Sequence, residues 1–241
     1  MKVLFVITSH ETGAWLSEIT HPYWALAERG IEVDFASPAG GKIVWTPLSD
    51  PHGEGSQEPD DLVSKGFLSD PDLTQKLENT IALADIELEQ YEAVHVAGGQ
   101  GATYDLYPNE ELGRILDHFW AEEKVVGAIC HGAIALGNIP DRVRGRRVTG
   151  YSFEGDQALE AFFGPGFFIP HYPQKVLEGV GTRYTSVEYT QPRVVEDGRL
   201  VTGQNQQSAS EYGLVLLHAL TGETPVTGPA PVVTATPMAG A

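Results

Sequence analysis

The chain reads as an α/β protein, a mainly parallel sheet covered by helices on both faces. Three observations predict this. Strand-like and helix-like segments alternate along the chain, the first strand is apolar enough to be fully buried, and a β-branched run turns abruptly into a small-residue helix start at Cys130. Parallel neighbours need long crossovers, which helices supply.

Taken in order, Lys2 to Thr8 (KVLFVIT) is the buried first strand, and Ser17 to Arg29 carries apolar residues at helical spacing until Gly30 ends it. Ile31 to Ser37 (IEVDFAS) is the second strand. The stretch from Pro38 to Pro71 is rich in Gly, Pro, Ser and Asp and shows little periodicity; it is read as a lid-like insertion over about residues 38–72. Leu73 to Leu88 is expected to add a helix. Tyr91 to Ala97 (YEAVHVA) is a strand ending on Gly98-Gly99-Gln100-Gly101, Asn109 to Glu123 is a helix, and Val125 to Ile129 is a strand followed by a further helix after Gly132. Arg193 to Thr202 reads as a hairpin turned by Asp197-Gly198, and Ser208 to Leu220 as the last helix. Residues 1–221 are read as one domain. Residues 222–241 collapse to Pro, Thr, Val, Ala and Gly, a composition that reads as a flexible C-terminal tail.

Composition narrows the function. With 33 acidic against 15 basic residues the formal net charge is −18, so nucleic acid and anionic membranes are not expected partners. Met1 to Ile7 is too short for a signal peptide's apolar region, and nothing else is long enough to span a bilayer. One cysteine cannot form an internal disulfide, and without an export signal it points to a reducing cytoplasm.

That cysteine is the first candidate for chemistry. Ligands of parallel sheets bind beyond the carboxyl ends of the strands, where Thr8-Ser9, Gly98-Gly99 and Cys130-His131 can converge. Cys130 occupies a strand-to-helix corner of the nucleophile-elbow kind, and a helix start beside the His131 imidazole is expected to lower its pKa. The plainer alternative is an inert buried thiol. Glu18, in the first crossover helix, faces the same strand ends and can orient or protonate the sulfur; the alternative is a solvated helix carboxylate. The Gly98-Gly99-Gln100-Gly101 turn can aim backbone N–H groups at a developing oxyanion. No nucleotide cofactor is expected, since neither G-x-G-x-x-G after the first strand nor a Walker lysine is present. The scattered histidines show no H-E-x-x-H or paired Cys-His spacing, so no metal is expected, with a loop-assembled zinc site left open. Trp15, Trp24 and Trp45 suggest an aromatic pocket wall, Trp24 reading equally as core.

Four separated motifs carry a resemblance: Ala128-Ile129-Cys130-His131-Gly132, Gly98-Gly99-x-Gly101, Thr12-Gly13-x-Trp15-x-x-Glu18-x-x-x-Pro22-Tyr23, and Asp197-Gly198-Arg199-Leu200-Val201-Thr202-Gly203-Gln204-Asn205. Together they resemble the ThiJ/PfpI superfamily, in its branch of heat-shock-chaperone-like, glutathione-independent glyoxalases (glyoxalase III), over about residues 2 to 220. The resemblance implies a flavodoxin-like three-layer sandwich of the class I glutamine amidotransferase type, a homodimer, and a lyase acting without cofactor on small 2-oxoaldehydes. It implies Cys130 as nucleophile, His131 as its partner, Glu18 as acid/base, and the N–H groups of Gly99 and His131 as oxyanion donors beside Gln100. An acid orienting the imidazole is implied at Asp156, or at Glu154. Two positions depart from the family pattern: Gln100 stands where His is common, and Ala133 where Pro is common. Gln100 gives weight to another thiolate enzyme, a hydrolase, hydratase or specialised biosynthetic enzyme; a non-enzymatic alternative is a holding chaperone or a redox sensor oxidised at Cys130.

Overall fold

Successive side chains of a strand point to opposite faces, and here both faces are apolar. In β1 (Lys2–Val6), Val3 and Phe5 enter one core cluster while Leu4 and Val6 enter a second, and all four are fully buried. The computed structural model, which describes residues 1–223, shows what covers each face.

After β1 come α1 (Ser17–Ala27), β2 (Glu32–Ser37), α2 (Leu62–Leu68), α3 (Pro71–Glu78) and β3 (Ile81–Ala82). The chain then returns through β4 (Ala93–Val96), α4 (Ala102–Asp105), α5 (Glu110–Ala121) and β5 (Val125–Ile129) into a 3-10 run, Cys130–Asn138. The remainder holds α6 (Pro140–Val143), β6 (Arg147–Val148), α7 (Phe153–Phe163), α8 (Pro173–Gly179), β7 (Arg183–Tyr184), β8 (Val194–Asp197), β9 (Leu200–Gly203) and α9 (Ala209–Thr221). Seven strands lie in the order β3-β2-β1-β4-β5-β9-β8, parallel except for the β8–β9 hairpin, and β6 pairs β7 separately. On one face Ile19, Tyr23 and Leu26 of α1 and Tyr212 and Leu216 of α9 pack with Val3 and Phe5. On the other, Leu112, Ile115, Leu116 and Phe119 of α5 join Ala133 and Leu136 of the 3-10 run over Leu4 and Val6. This is the expected three-layer sandwich. Its strand order reverses between β1 and β4, where such sheets build their sites.

Three elements differ from expectation. The helix expected over Leu73 to Leu88 is α3 alone: Asp70 starts it by accepting from the N–H groups of Asp72 and Leu73, and beyond Asn79 the chain extends into β3. There Thr80 ties it to the sheet edge through the Ser37 hydroxyl at 2.7 Å. The insertion at 38–72 contains α2, capped by the Asp61 side chain, and is stitched to the start of α1: Ala14 N–H donates to Val44 O, Thr46 N–H to Ala14 O, and Leu16 N–H to Ser49 Oγ. The helix expected after Gly132 is a 3-10 run that begins at Cys130 itself. The tail expected at 222–241 lies outside the described residues from 224 onward. Among the described residues no helix is long and apolar enough to cross a membrane.

Candidate active site

β5 ends with Ile129 extended, and the next residue turns left-handed: Cys130 has φ +57°. A non-glycine residue held there costs on the order of 1–3 kcal/mol. The turn lifts the thiol off the strand end toward β4 and α1, and Cys130 is only 2% exposed.

The end of β4 closes on the same point. A Cβ on Gly98 would stand 2.5 Å from Glu18 Oε2 and 2.9 Å from Cys130 Cβ, so the backbone passes between the two side chains where only glycine fits. Gly99 follows at φ +97°, with the Ala14 backbone 2.4 Å from where its Cβ would be. This approach lets Gly98 N–H donate to Glu18 Oε2 at 2.9 Å, while the N–H groups of Gly99 and His131 come near enough to the sulfur to favour its charged form.

Glu18 lies in the first turn of α1, fully buried. Its carboxyl lies beside the Cys130 thiol, close enough for each to shift the other's titration, and Oε1 is buried with no hydrogen-bond partner. Burial pushes its pKa up to about 8, helped by the charge of Glu58 and opposed by the hydrogen bonds to Cys130 and Gly98. His95 of β4 holds the Glu18 carbonyl through Nε2 at 2.9 Å and meets the Tyr212 hydroxyl through Nδ1 at 2.7 Å. Burial brings His95 down to about 3, so it is neutral: Tyr212 donates to Nδ1, and Nε2–H donates to Glu18. Of the scattered histidines, this one belongs to the core.

The Cys130 thiol is pushed well above its ordinary value by burial, then by the charge and hydrogen bond of Glu18, against the N–H groups of His131 and Gly99. The sequence predicts the opposite direction from the helix start and the imidazole. Desolvation outweighs both. Two of the upward causes come from Glu18, however, and a proton on that carboxyl removes them.

His131 Nδ1 lies 3.4 Å from Cys130 Sγ and Nε2 lies 2.8 Å from Asp156 Oδ1. Tyr151 stacks on the imidazole, ring centres 4.3 Å apart. Asp156 reaches it because Ser152 caps α7 through Gly155 N–H and places Asp156 on the inward side of the first turn. Two positions earlier on a helix is another face, and Glu154 is exposed. Asp156 is raised by burial, against the attraction of His131.

Other predicted residues fall around this line. Gln100 is buried in the turn after Gly99, and Ala133 is fully buried, its Cβ against Gly150. Thr8 bonds Asp105 at 2.6 Å instead of approaching the sulfur. Trp15 Nε1 donates to Glu58 at 2.9 Å, Trp45 Nε1 to Asp50 at 3.1 Å, and Trp24 packs on Tyr23 at the edge of the core. Among the described residues no group of three or more His, Cys, Asp or Glu is arranged to hold a metal.

Three features have roles that the sequence reading did not assign. Glu58, from the segment before α2, is a buried carboxylate that accepts from Trp15 and from Ser17 Oγ at 3.1 Å. Tyr151 gave no signal beyond its place ahead of the capping serine. Gln204 and Asn205, just past β9, hold the loop 187–191 by its backbone. Gln204 accepts from Val187 N–H at 2.8 Å and donates to the Val187 and Glu188 carbonyls, while Asn205 donates to those of Tyr189 and Gln191, both at 2.8 Å. β9 pairs with β5 up to Gly203 opposite Ile129, so this clamp stands beside the elbow.

The sequence matches the DJ-1/PfpI family over residues 1–219. It is 26% identical to the glutathione-independent glyoxalase HSP31 of Saccharomyces cerevisiae, over 91% of this chain and 98% of that protein. Among solved structures, Rapid Encystment Protein 24 kDa of Francisella tularensis superposes with a TM-score of 0.81 at 31% identity, covering 91% of this chain and 98% of that one. Glyoxalase III of Candida albicans superposes at 0.77 with 25% identity, covering 92% and 98%.

Proposed function

This chain belongs to the DJ-1/PfpI family, as its motifs suggested, and on that premise we propose that it is a glutathione-independent glyoxalase converting methylglyoxal to lactate at Cys130. The observation that carries the reading is a fully buried carboxyl, Glu18, against a thiol whose other neighbours are an imidazole and two N–H donors. The named activities of the yeast and Candida relatives support it. So does size: a nucleophile 2% exposed favours compounds of a few heavy atoms.

In this reading the S–H proton passes to His131 Nδ1 as sulfur bonds the aldehyde carbon, and Asp156 stabilises the imidazolium through Nε2. The aldehyde oxygen gathers charge under the N–H groups of Gly99 and His131, then takes the proton, giving a hemithioacetal. Glu18 removes the proton on that carbon while the ketone oxygen is protonated, forming an enediol, and returns a proton to the second carbon. The hydroxyl left on the first carbon loses its proton and becomes the thioester carbonyl. Water hydrolyses the thioester, releasing lactate and restoring the thiol. A carboxyl titrating at about 8 gives and takes protons readily near neutral pH. A reducing cytoplasm, where a lone thiol stays reduced, suits this chemistry.

The test is steady-state formation of D-lactate from methylglyoxal. Wild type is expected to turn over and Cys130→Ala to be inert; an inactive wild type, or a variant that keeps its activity, overturns the reading.

One observation favours a second role. Phe162, Phe163 and Phe168 flank Gly164-Pro165-Gly166 at 53%, 41% and 62% exposure, an apolar surface of the kind a holding chaperone needs. Suppression of client aggregation that survives Cys130→Ala but falls in Phe162→Ser/Phe168→Ser supports it, and equal suppression by both variants removes it.

A further inference from the structure

We propose that Glu58 is a positioning residue that sets the protonation state of Glu18 and, through it, the state of the Cys130 sulfur; the inference rests on the acid/base reading of Glu18. Glu58 comes from the insertion, far from the sheet in sequence, yet its two oxygens grip the residues that frame Glu18. Oε2 accepts from the Trp15 indole at 2.9 Å and Oε1 from the Ser17 hydroxyl at 3.1 Å. Trp15 in turn accepts the Glu18 N–H on its carbonyl at 3.2 Å, and Ser17 is the adjacent residue. Both donors to Glu58 are uncharged, and among the described residues no lysine or arginine pairs with it. The His21 ring is engaged by Asp61 at 3.1 Å and by Ser210 at 2.7 Å, not by Glu58.

Two carboxyls in one dry compartment do not both ionise readily; whichever charges first holds the proton on the other. The remaining groups facing Glu18 leave that decision to Glu58. From β4 come the Gly98 N–H and His95, which burial keeps neutral. From α9 comes Tyr212, and from the turn before α7 comes Tyr151, both phenols pushed far above neutral pH by burial. From the elbow comes Cys130, raised as well. Glu58 titrates at about 7, lifted by burial and then by Asp61 against Ser17, Trp15 and His21. It is therefore the neighbour whose charge changes in the physiological range. Once ionised, it holds the proton on Glu18 to higher pH, so that Glu18 exchanges between acid and carboxylate near neutral pH, as its acid/base work requires.

The single cysteine makes the test direct. The rate of iodoacetamide alkylation, followed by intact mass across the pH range, reports Cys130 alone and needs no turnover. Wild type is expected to show an inflection that Glu18→Gln removes. Glu58→Gln is expected to move this inflection down by about one pH unit. Glu58→Asp, which keeps the charge, moves it less, and adding Glu58→Gln to Glu18→Gln changes nothing further. If Glu58→Gln fails to fold, Ser17→Ala replaces it: with one donor gone Glu58 holds its proton longer, and the inflection again moves down. An inflection that stays put, one that is absent from wild type, or an equal shift in the Glu18→Gln background overturns the inference. A wild type that alkylates as expected but forms no lactate refutes the glyoxalase reading instead.

Discussion

Replacing Glu18 by Gln should change how stability depends on pH, in a direction opposite to that of an ordinary salt-bridged carboxylate. In the unfolded chain the carboxyl titrates near 4.5, and in the fold near 8. Between those values the folded state keeps a proton that the unfolded state has released, so the free energy of unfolding falls as pH rises. One group can supply at most about 1.4 kcal/mol per pH unit, or roughly 4–5 kcal/mol over the whole window. That is a large part of the ~5–15 kcal/mol that keeps a typical domain folded. Glu58, raised from 4.5 to about 7, contributes with the same sign, so the informative quantity is the difference between wild type and Glu18→Gln. The amide is nearly isosteric and can still accept the Gly98 N–H. Urea titrations followed by tryptophan fluorescence would give that difference at several pH values. From about pH 5 to pH 8 wild type should lose roughly 3 kcal/mol relative to the variant. The burial account of Glu18 is refuted by a difference that stays flat or grows with pH, because either outcome means the carboxyl is already ionised in the folded protein.

Further outcomes follow from the same geometry. Asp156→Asn should lower kcat by about 10²–10⁴ with the fold intact, while Glu154→Gln stays near wild type; equal effects would contradict the 2.8 Å contact to His131. Gly98→Ala forces a methyl group against Glu18 and Cys130 and should cost about 1–3 kcal/mol. Gly66→Ala, in α2 with nothing within 4 Å of the new Cβ, should gain about 0.5–1 kcal/mol. Paired thermal melts check both, and a reversed order of Tm contradicts the packing. The homodimer implied by the family predicts a concentration-independent dimer in sedimentation velocity, and a monomer throughout excludes it.

The elbow was legible because its signal is local. An apolar β-branched run followed by small residues marks a buried strand entering a tight turn, and β5 ends at Ile129 as read. Glu18 and Gly98-Gly99 were legible at one remove, since parallel topology brings strand and crossover ends to one edge. Glu58 was not: a lone glutamate among Gln, Pro and Asp looks solvated, and only the Trp15 indole and the Ser17 hydroxyl, 43 and 41 residues away in sequence, give it a buried seat. The direction of the thiol's shift was missed for a related reason, since desolvation depends on what packs around the sulfur. The helix expected over Leu73 to Leu88 failed where Thr80 and the β2 edge claimed a segment whose apolar spacing also suited a helix.

The clamp on loop 187–191 touches main-chain atoms alone. Gln204 and Asn205 recognise N–H and carbonyl groups that every residue except proline shares, so this clamp holds the loop beside the elbow whatever side chains stand at Val187 and Tyr189. Val187 is exposed and Tyr189 half-buried, both free of the duty of anchoring the loop, whereas Glu188 accepts from the Thr190 N–H at 3.3 Å and from its hydroxyl. Such an arrangement separates tolerance from chemistry: this edge can diversify by point substitution while Cys130 and Glu18 stay unaltered. For anyone seeking altered substrate preference, a library randomised at Val187 and Tyr189 is the place to begin.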